Sequence, residues 1–294
     1  MTTRSTDAYR RRFQETLQYI DTHLSEDVTV DRLSQIAAFS KHHFLRQFSE
    51  LFGMGVYKYV QLSRLKRASY RLAFRHEQSV LHIALESGYD NPESFARAFK
   101  RSTGQTPTEF RRQPQWTSWQ ETYEILADLR KTHMKMTHQL QDVKIVDFKA
   151  TDVGVLEHHG DPALIGDSIA QFIAWRKHNH LHPTQSATFN ILYEDPADVS
   201  PADFQLDLCA AVDRQTDDEH YGVIRKTIPA GRCAVLRHVG SDDHLGQSIS
   251  FLYQEWLPQS GEEPRDFPLF LQRVHFYPDV PENEMILDLY LPLK

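Results

Sequence analysis

Residues 79–111 read SVLHIALESGYDNPESFARAFKRSTGQTPTEFR, and fifty positions earlier residues 29–60 read TVDRLSQIAAFSKHHFLRQFSELFGMGVYKYV. Val30, Leu33, Ser34, Ala37, Ala38 and Phe39 of the first stretch match Val80, Ile83, Ala84, Ser87, Gly88 and Tyr89 of the second at an offset of fifty. Past the turn the offset becomes fifty-one, so Phe44, Arg46, Phe48, Gly53 and Tyr59 match Phe95, Arg97, Phe99, Gly104 and Phe110. One extra residue in a turn is what a duplicated fold absorbs most easily. Each copy predicts helix, short turn, helix. Val30, Leu33 and Ala37 share a helical face, and Ser40 and Asn91-Pro92 are good starts for the second helices. Gly88 permits the left-handed backbone that such a turn needs. Phe44/Phe48 and Phe95/Phe99 stand at i,i+4 and predict a core stripe. About 200° away from them lie His42 and Arg46, or Glu93 and Arg97. A long helix from Val56 to Phe74, carrying Arg64, Lys66, Arg67, Arg71 and Arg75, is predicted to separate the two hairpins. Paired hairpins on a rigid spacer can enter successive major grooves roughly 34 Å apart.

The charge distribution agrees. The chain of 294 residues has a net charge of −7, yet residues 1–112 hold 18 Lys and Arg against 12 Asp and Glu. That balance of +6 leaves −13 for the rest, so a phosphate-facing surface belongs to the first part. No stretch approaches the roughly 18 apolar residues of a membrane span. The N-terminus has no apolar core of a secretory signal. Cys209 and Cys233, the only cysteines, sit in apolar stretches and read as reduced core thiols. A cytoplasmic protein is expected.

From Val143 onward the pattern changes to short strands, and a second repeat appears. Val155, Leu156, His158 and Gly160 match Val235, Leu236, His238 and Gly240 at an offset of eighty; so do Gly166, Ser168 and Ile169 with Gly246, Ser248 and Ile249. Phe172, Ile173 and Trp175, or Phe251, Leu252 and Trp256, mark an amphipathic helix in each copy. The pairing of His158 with His238 predicts structural hydrogen bonds. Residues 113–142 are polar with scattered aromatics and predict a linker holding one short helix. The expected division is therefore a DNA-binding domain over 1–113, a linker over 114–142 and a ligand-binding domain over 143–294.

GYDNPESFARAFKRSTGQTPTEFRR resembles the C-terminal signature of the AraC/XylS family of transcriptional regulators, and VDRLSQIAAFSKHHFLRQFSELFG its first recognition unit. The resemblance covers about residues 9–112. It implies that the helices beginning at Lys41 and Pro92 read double-stranded DNA, through Lys41, His42, His43, Arg46 and Gln47 in the first and Asn91, Glu93, Ser94, Arg97, Lys100 and Arg101 in the second. Val56 stands where that family often has Pro, and Pro92-Glu93 opens the second recognition helix. VGVLEHHGDPALIGDSI, IPAGRCAVLRHVG and PDVPENEMILDLYLPL resemble the GyrI-like effector domain, a duplicated strand-helix-strand-strand fold. The fold class expected is thus multidomain, all-α followed by α+β. The second resemblance implies a pocket for small amphipathic or aromatic molecules. The effector set expected is Glu157, Trp175, Phe189, Tyr193, Trp256, Phe276 and Tyr277. Many such domains carry a Phe-Glu-x-Tyr stretch whose acid pairs with a cation. This chain reads LFLQRVHFYPD there, so the pocket is carried over without the cation preference.

RNA polymerase is a further expected partner; no cofactor, metal or membrane is expected. The alternate imidazoles of His178, His180 and His182 could bind a metal, but they close a helix beside Pro183 and read as a solvated loop. Glu157 beside His158 could act as a base, yet no G-x-S-x-G elbow is present, and catalysis is not expected. Two other classes compete with a ligand-responsive regulator: a DNA-tethered adaptor whose second module binds a protein, and a hydrolase fused to a DNA-binding domain.

Overall fold

The computed structural model describes residues 3–134, 136–196, 198–213 and 218–294. The chain divides into two compact units. The first is Met1–Lys135 with Tyr277–Glu284, the second Met136–Phe276 with Met285–Lys294.

The first unit is helical. Its elements are α1 (Thr3–Thr22), α2 (Val30–Ile36), α3 (Lys41–Phe52), α4 (Val56–Phe74), α5 (Val80–Glu86), α6 (Pro92–Thr103), α7 (Pro107–Arg112) and α8 (Trp116–His133). The sequence repeat is a repeat of caps as well as cores. Thr29 and Ser79 accept from the backbone of the third residue on, as do Ser40 and Asn91 one helix later. Gly53 and Gly104 close α3 and α6 in the left-handed conformation, φ 64° and 78°. Phe13 of α1 packs near Phe44, Phe48 and Phe52, and Phe48 meets Tyr59 edge-on at 5.8 Å. In the second hairpin the equivalents Phe95, Phe99 and Phe110 form the same chain of ring contacts.

One sequence expectation differs from what is seen. Residues 116–133 form an 18-residue helix rather than a short one in a linker, and Trp116, Trp119, Tyr123, Leu126 and Arg130 are buried in the first unit. Trp116 continues the ring chain by contacting Phe110 at 5.5 Å and stacking on Phe74 at 5.7 Å. Its spaced aromatics form one stripe, while the exposed polar residues between them gave the stretch its linker-like composition. Several basic residues of α4 turn inward, although Lys58 is exposed. Arg64 donates to the carbonyls of Leu24 and Glu26, and Arg67 donates to Ser25 Oγ at 2.7 Å and the Glu86 carbonyl at 2.8 Å. They hold the loop after α1 and the end of α5.

The second unit is an eight-stranded antiparallel sheet with helices. Its strands are β1 (Lys144–Phe148), β2 (Thr151–His159), β3 (Thr188–Leu192), β4 (Gln205–Ala211), β5 (Val223–Ile228), β6 (Gly231–Val239), β7 (Leu269–His275) and β8 (Ile286–Pro292), in the order β1-β6-β8-β7-β3-β4-β2-β5. The two halves meet at β7 and β3, and each exchanges its first strand: β1 pairs with β6 and β5 with β2. Helix α9 (Ile165–His178) follows β2. In the second half α10 (Leu245–Ser250), a π-helical turn (Phe251–Trp256) and α11 (Leu257–Ser260) follow β6. His158 Nδ1 and Ser168 Oγ lie 2.8 Å apart, as do His238 Nδ1 and Ser248 Oγ, so each strand is locked to its own helix at the predicted repeat positions. Burial lowers the pKa of His238 and favours the neutral ring in that bond.

Among the described residues of this unit, buried side chains gather in three clusters. Phe172 and Trp175 of α9 pack on Leu156, Leu208 and Ala210; Phe251, Leu252 and Trp256 pack on Leu236, Leu271, Leu287 and Leu289. The third cluster, on the other face of the sheet, is made of strand and adjoining loop side chains, including Val153, Val155, Phe189, Cys209, Cys233 and Phe270.

Candidate functional site

The residues expected to read DNA lie on α3 and α6. His42, His43 and Arg46 are exposed on α3, and Glu93, Arg97, Lys100 and Arg101 on α6, with Phe44, Phe48, Phe95 and Phe99 buried behind them. Lys41 pairs with Asp31 of α2. Gln47 is half-buried. Asn91 and Ser94 are engaged in the cap: Ser94 N donates to Asn91 Oδ1 at 2.8 Å and Ser94 Oγ to the Asn91 carbonyl at 2.9 Å. Arg46 and Arg97 thus occupy equivalent outward positions of two equivalent hairpins. Exposed guanidiniums on a rigid helix suit phosphate or guanine, where their fork makes bidentate bonds.

The expected effector residues fall in different places. Trp175 and Trp256 are core residues on the helix-covered face, 0% and 7% exposed. Tyr277 belongs to the helical unit, where its ring lies edge-on to Tyr70 at 5.0 Å. Phe276 is half-buried at the end of β7. Glu157, Phe189 and Tyr193 do gather, and the strand register explains why. Glu157 stands opposite Asp207, and Phe189 opposite both Cys209 and Gln272, so these side chains share the third-cluster face.

That face has an aromatic centre and two charged groups. Phe270 and Tyr290 stack with ring centroids 4.9 Å apart, and Phe148 packs edge-on to each at 5.0 and 5.4 Å. In one half, Asp207 accepts from Tyr193 Oη at 2.9 Å and from Lys226 Nζ at 2.7 Å, and Lys226 reaches Glu157 at 2.7 Å. Burial works against the Lys226 charge, but hydrogen bonds to the two carboxylates outweigh it and raise its pKa; Lys226 in turn lowers that of Glu157. In the other half, Arg237 makes a bidentate pair with Asp288 at 2.7 and 2.8 Å. The halves correspond: Leu206-Asp207-Leu208 and Leu287-Asp288-Leu289 are related at an offset of eighty-one, as are Phe189 and Phe270. Following the repeat past its first helix would have exposed Phe270, Asp207 and Asp288 in the sequence. Arg237 stands at the repeat position of Glu157, eighty residues on, whereas Lys226 carries no such signal.

Features weighed for other chemistry do not assemble. Glu157 faces Lys226 while His158, next along the strand, points to Ser168 on the other face. Both cysteines are free, and burial raises their thiol pKa values and keeps them unreactive. Among the described residues, no group of three or more His, Cys, Asp or Glu could hold a metal ion, and no helix is long and apolar enough to cross a membrane.

Comparison with known proteins supplies the family. The GyrI-like small molecule binding domain matches residues 141–294, and a helix-turn-helix domain matches residues 33–113. A probable transcriptional regulator of Escherichia coli (strain K12), YgiV, is 38% identical over 54% of this chain and 99% of its own length. An uncharacterized HTH-type transcriptional regulator of Staphylococcus aureus (strain COL) is 30% identical over 45% of this chain, which is 18% of that protein. A transcriptional regulator with an AraC-type DNA-binding domain from Chromobacterium violaceum has a solved structure with a TM-score of 0.34 and 23% identity, covering 36% of this chain and 94% of that one. The chain belongs to the GyrI-like small-molecule-binding family and carries an AraC-type helix-turn-helix domain ahead of that module, the composition of a transcriptional regulator.

Proposed function

We propose that this regulator reads duplex DNA with α3 and α6, through Arg46, Arg97 and their exposed neighbours. On this reading it answers to a small amphipathic or aromatic effector that meets the half-buried Phe148 and Tyr290, with the fully buried Phe270 behind them. The observation that carries the reading is the duplication itself: two hairpins of one design present guanidiniums at equivalent positions, joined by a single helix. A monomer can then recognise a long asymmetric site. The regulator works in the cytoplasm, where Cys209 and Cys233 stay reduced, acts on RNA polymerase at a promoter, and is not an enzyme.

The test is a gel shift of the full chain on duplexes enriched from a random-sequence library. Arg46→Ala and Arg97→Ala should each weaken the enriched site by about 1–3 kcal/mol if they touch bases. Unchanged affinity in both variants sinks the assignment of the helices.

The effector is expected to bind mainly by stacking and burial, since every carboxylate named on the face already has a cationic partner, Asp207 and Glu157 sharing Lys226 and Asp288 held by Arg237, which leaves a single net negative charge among them. Equilibrium dialysis of the full chain with matched aromatic compounds should therefore show less than about tenfold preference for a cation over its neutral isostere. Dialysis is the better assay because Trp175 and Trp256 lie in the core and report on ligand only indirectly. A strong preference for the cation that fades with salt would contradict this reading.

A further inference from the structure

Ten residues, 276–285, join β7 to β8, and eight of them, Tyr277–Glu284, are part of the helical unit. Glu282 is their anchor. It is 9% exposed and meets two buried cations, Lys66 of α4 at 6% and Arg130 of α8 at 1%. Lys66 Nζ donates to Glu282 Oε1 at 2.7 Å, and Arg130 donates to Oε2. Arg130 also pairs at 2.8 Å with Asp21 of α1, so two cations and two carboxylates meet where three helices converge. Further attachments run alongside. Arg75, at the end of α4, donates to Asp279 at 2.7 Å; Asn283 Nδ2 donates to Thr22 Oγ1 of α1 at 2.9 Å; and Tyr277 packs on Tyr70 of α4. Three of these grips fall on the one helix that separates the two hairpins or on its cap, at Lys66, Tyr70 and the C-cap Arg75.

We infer that Tyr277–Glu284 is a coupling strap. It is continuous in the chain with β7 and β8, whose Phe270, Gln272, Asp288 and Tyr290 stand on the candidate effector face, and it clamps the helix that sets the spacing of the DNA readers. A shift of β7 against β8 on effector binding changes the hold of Glu282 on α4 and α8. Linkage then requires that DNA binding act back on β7 and β8. Charge makes the hold stiff: withdrawing Glu282 removes a carboxylate from Lys66 and Arg130 at once, which a buried site tolerates poorly. The inference rests on the DNA-reading role of α3 and α6.

The experiment uses the full chain and a duplex enriched from a random-sequence library on the wild type. Glu282→Gln keeps the shape and removes the charge. It should raise the Kd for that duplex by about tenfold or more and speed amide exchange in α4 and α8. Adding Lys66→Met to Glu282→Gln takes out a cation as well and should recover most of the loss, which a purely steric role would not allow. DNA should slow exchange in β7 and β8 of the wild type and not in Glu282→Gln. If Glu282→Gln does not fold, Asp279→Asn at the exposed end of the strap carries the same comparison with a smaller effect. A Kd within about twofold of wild type with unchanged exchange in α4, or β7 and β8 amides that ignore DNA in the wild type, overturns the strap alone. A wild-type chain that enriches no duplex overturns the DNA-reading function on which the strap depends.

Discussion

Ala38 and Gly88 hold the same left-handed turn in the two hairpins, at φ 54° and 75°. The first tolerates a side chain, whereas the second does not have the room. A Cβ at Gly88 would lie 2.5 Å from Arg64 Nη1, and that guanidinium is held by the carbonyls of Leu24 and Glu26. Gly88→Ala should therefore cost about 1–2 kcal/mol of backbone strain, plus part of the roughly 1–3 kcal/mol attached to those bonds. Ala38→Gly relieves strain but adds chain entropy, so its effect should stay within about 1 kcal/mol. Urea denaturation of the two variants checks this. Equal losses would show that Arg64 moves aside freely. Elsewhere between the turn and the following helix, Asp90 is the inserted residue, since Ser40 and Asn91 cap at an offset of fifty-one.

Among the elements, the π-helical turn has the clearest origin. Strand and early helix of the second repeat run at an offset of eighty, as in Ser168 and Ser248, but Trp175 and Trp256 are separated by eighty-one, and so are all later equivalents. The extra residue lies inside Phe251–Trp256, where the wider turn absorbs it and keeps both Leu252 and Trp256 in the core. In a regular α-helix one additional residue would rotate everything after it by about 100°. Deleting Gln254 should let the turn relax to α-helix with a change of no more than about 1 kcal/mol. Deleting Ala174 from the regular α9 should swing Trp175 out of its cluster and cost at least about 3 kcal/mol. Thermal melts followed by circular dichroism distinguish the two. Equal destabilisation would mean that the π turn is not the seat of the insertion.

On the scale of the whole molecule, the helical unit extends past the expected boundary. A fragment ending at residue 113 carries all of both hairpins but lacks α8, and with it Trp116, Trp119, Tyr123 and Leu126, each no more than 6% exposed. Burial of each such side chain contributes on the order of 2 kcal/mol, so together they are comparable with the whole stability of an ordinary domain, about 5–15 kcal/mol. The 1–113 fragment is expected to show no cooperative melting transition, while 1–135, which retains α8, shows one below that of the full chain because Glu282 is missing. A sharp melt of 1–113 by circular dichroism would show that α8 is dispensable.

Local pattern carried a large part of this. The two offsets of fifty and eighty, the caps at Ser40, Ser79 and Asn91, and the i,i+4 phenylalanines determined the two hairpins, the spacer helix and the duplicated strand-helix order, because caps and periodicity act over a few residues that are neighbours in the sequence. The outward positions of Arg46 and Arg97 follow from the same periodicity. Which side of the sheet a side chain occupies was another matter. Trp175 and Trp256 look like pocket aromatics in sequence and are core, while Lys226 and Asp207, nineteen positions apart, become partners only through the β4-β2-β5 pairing. Long-range charge balance was the least legible: Lys66 and Glu282 are 216 residues apart, and only the tertiary structure brings them to one buried site. An ion pair needs two side chains in one place, and no spacing rule reaches across that much chain.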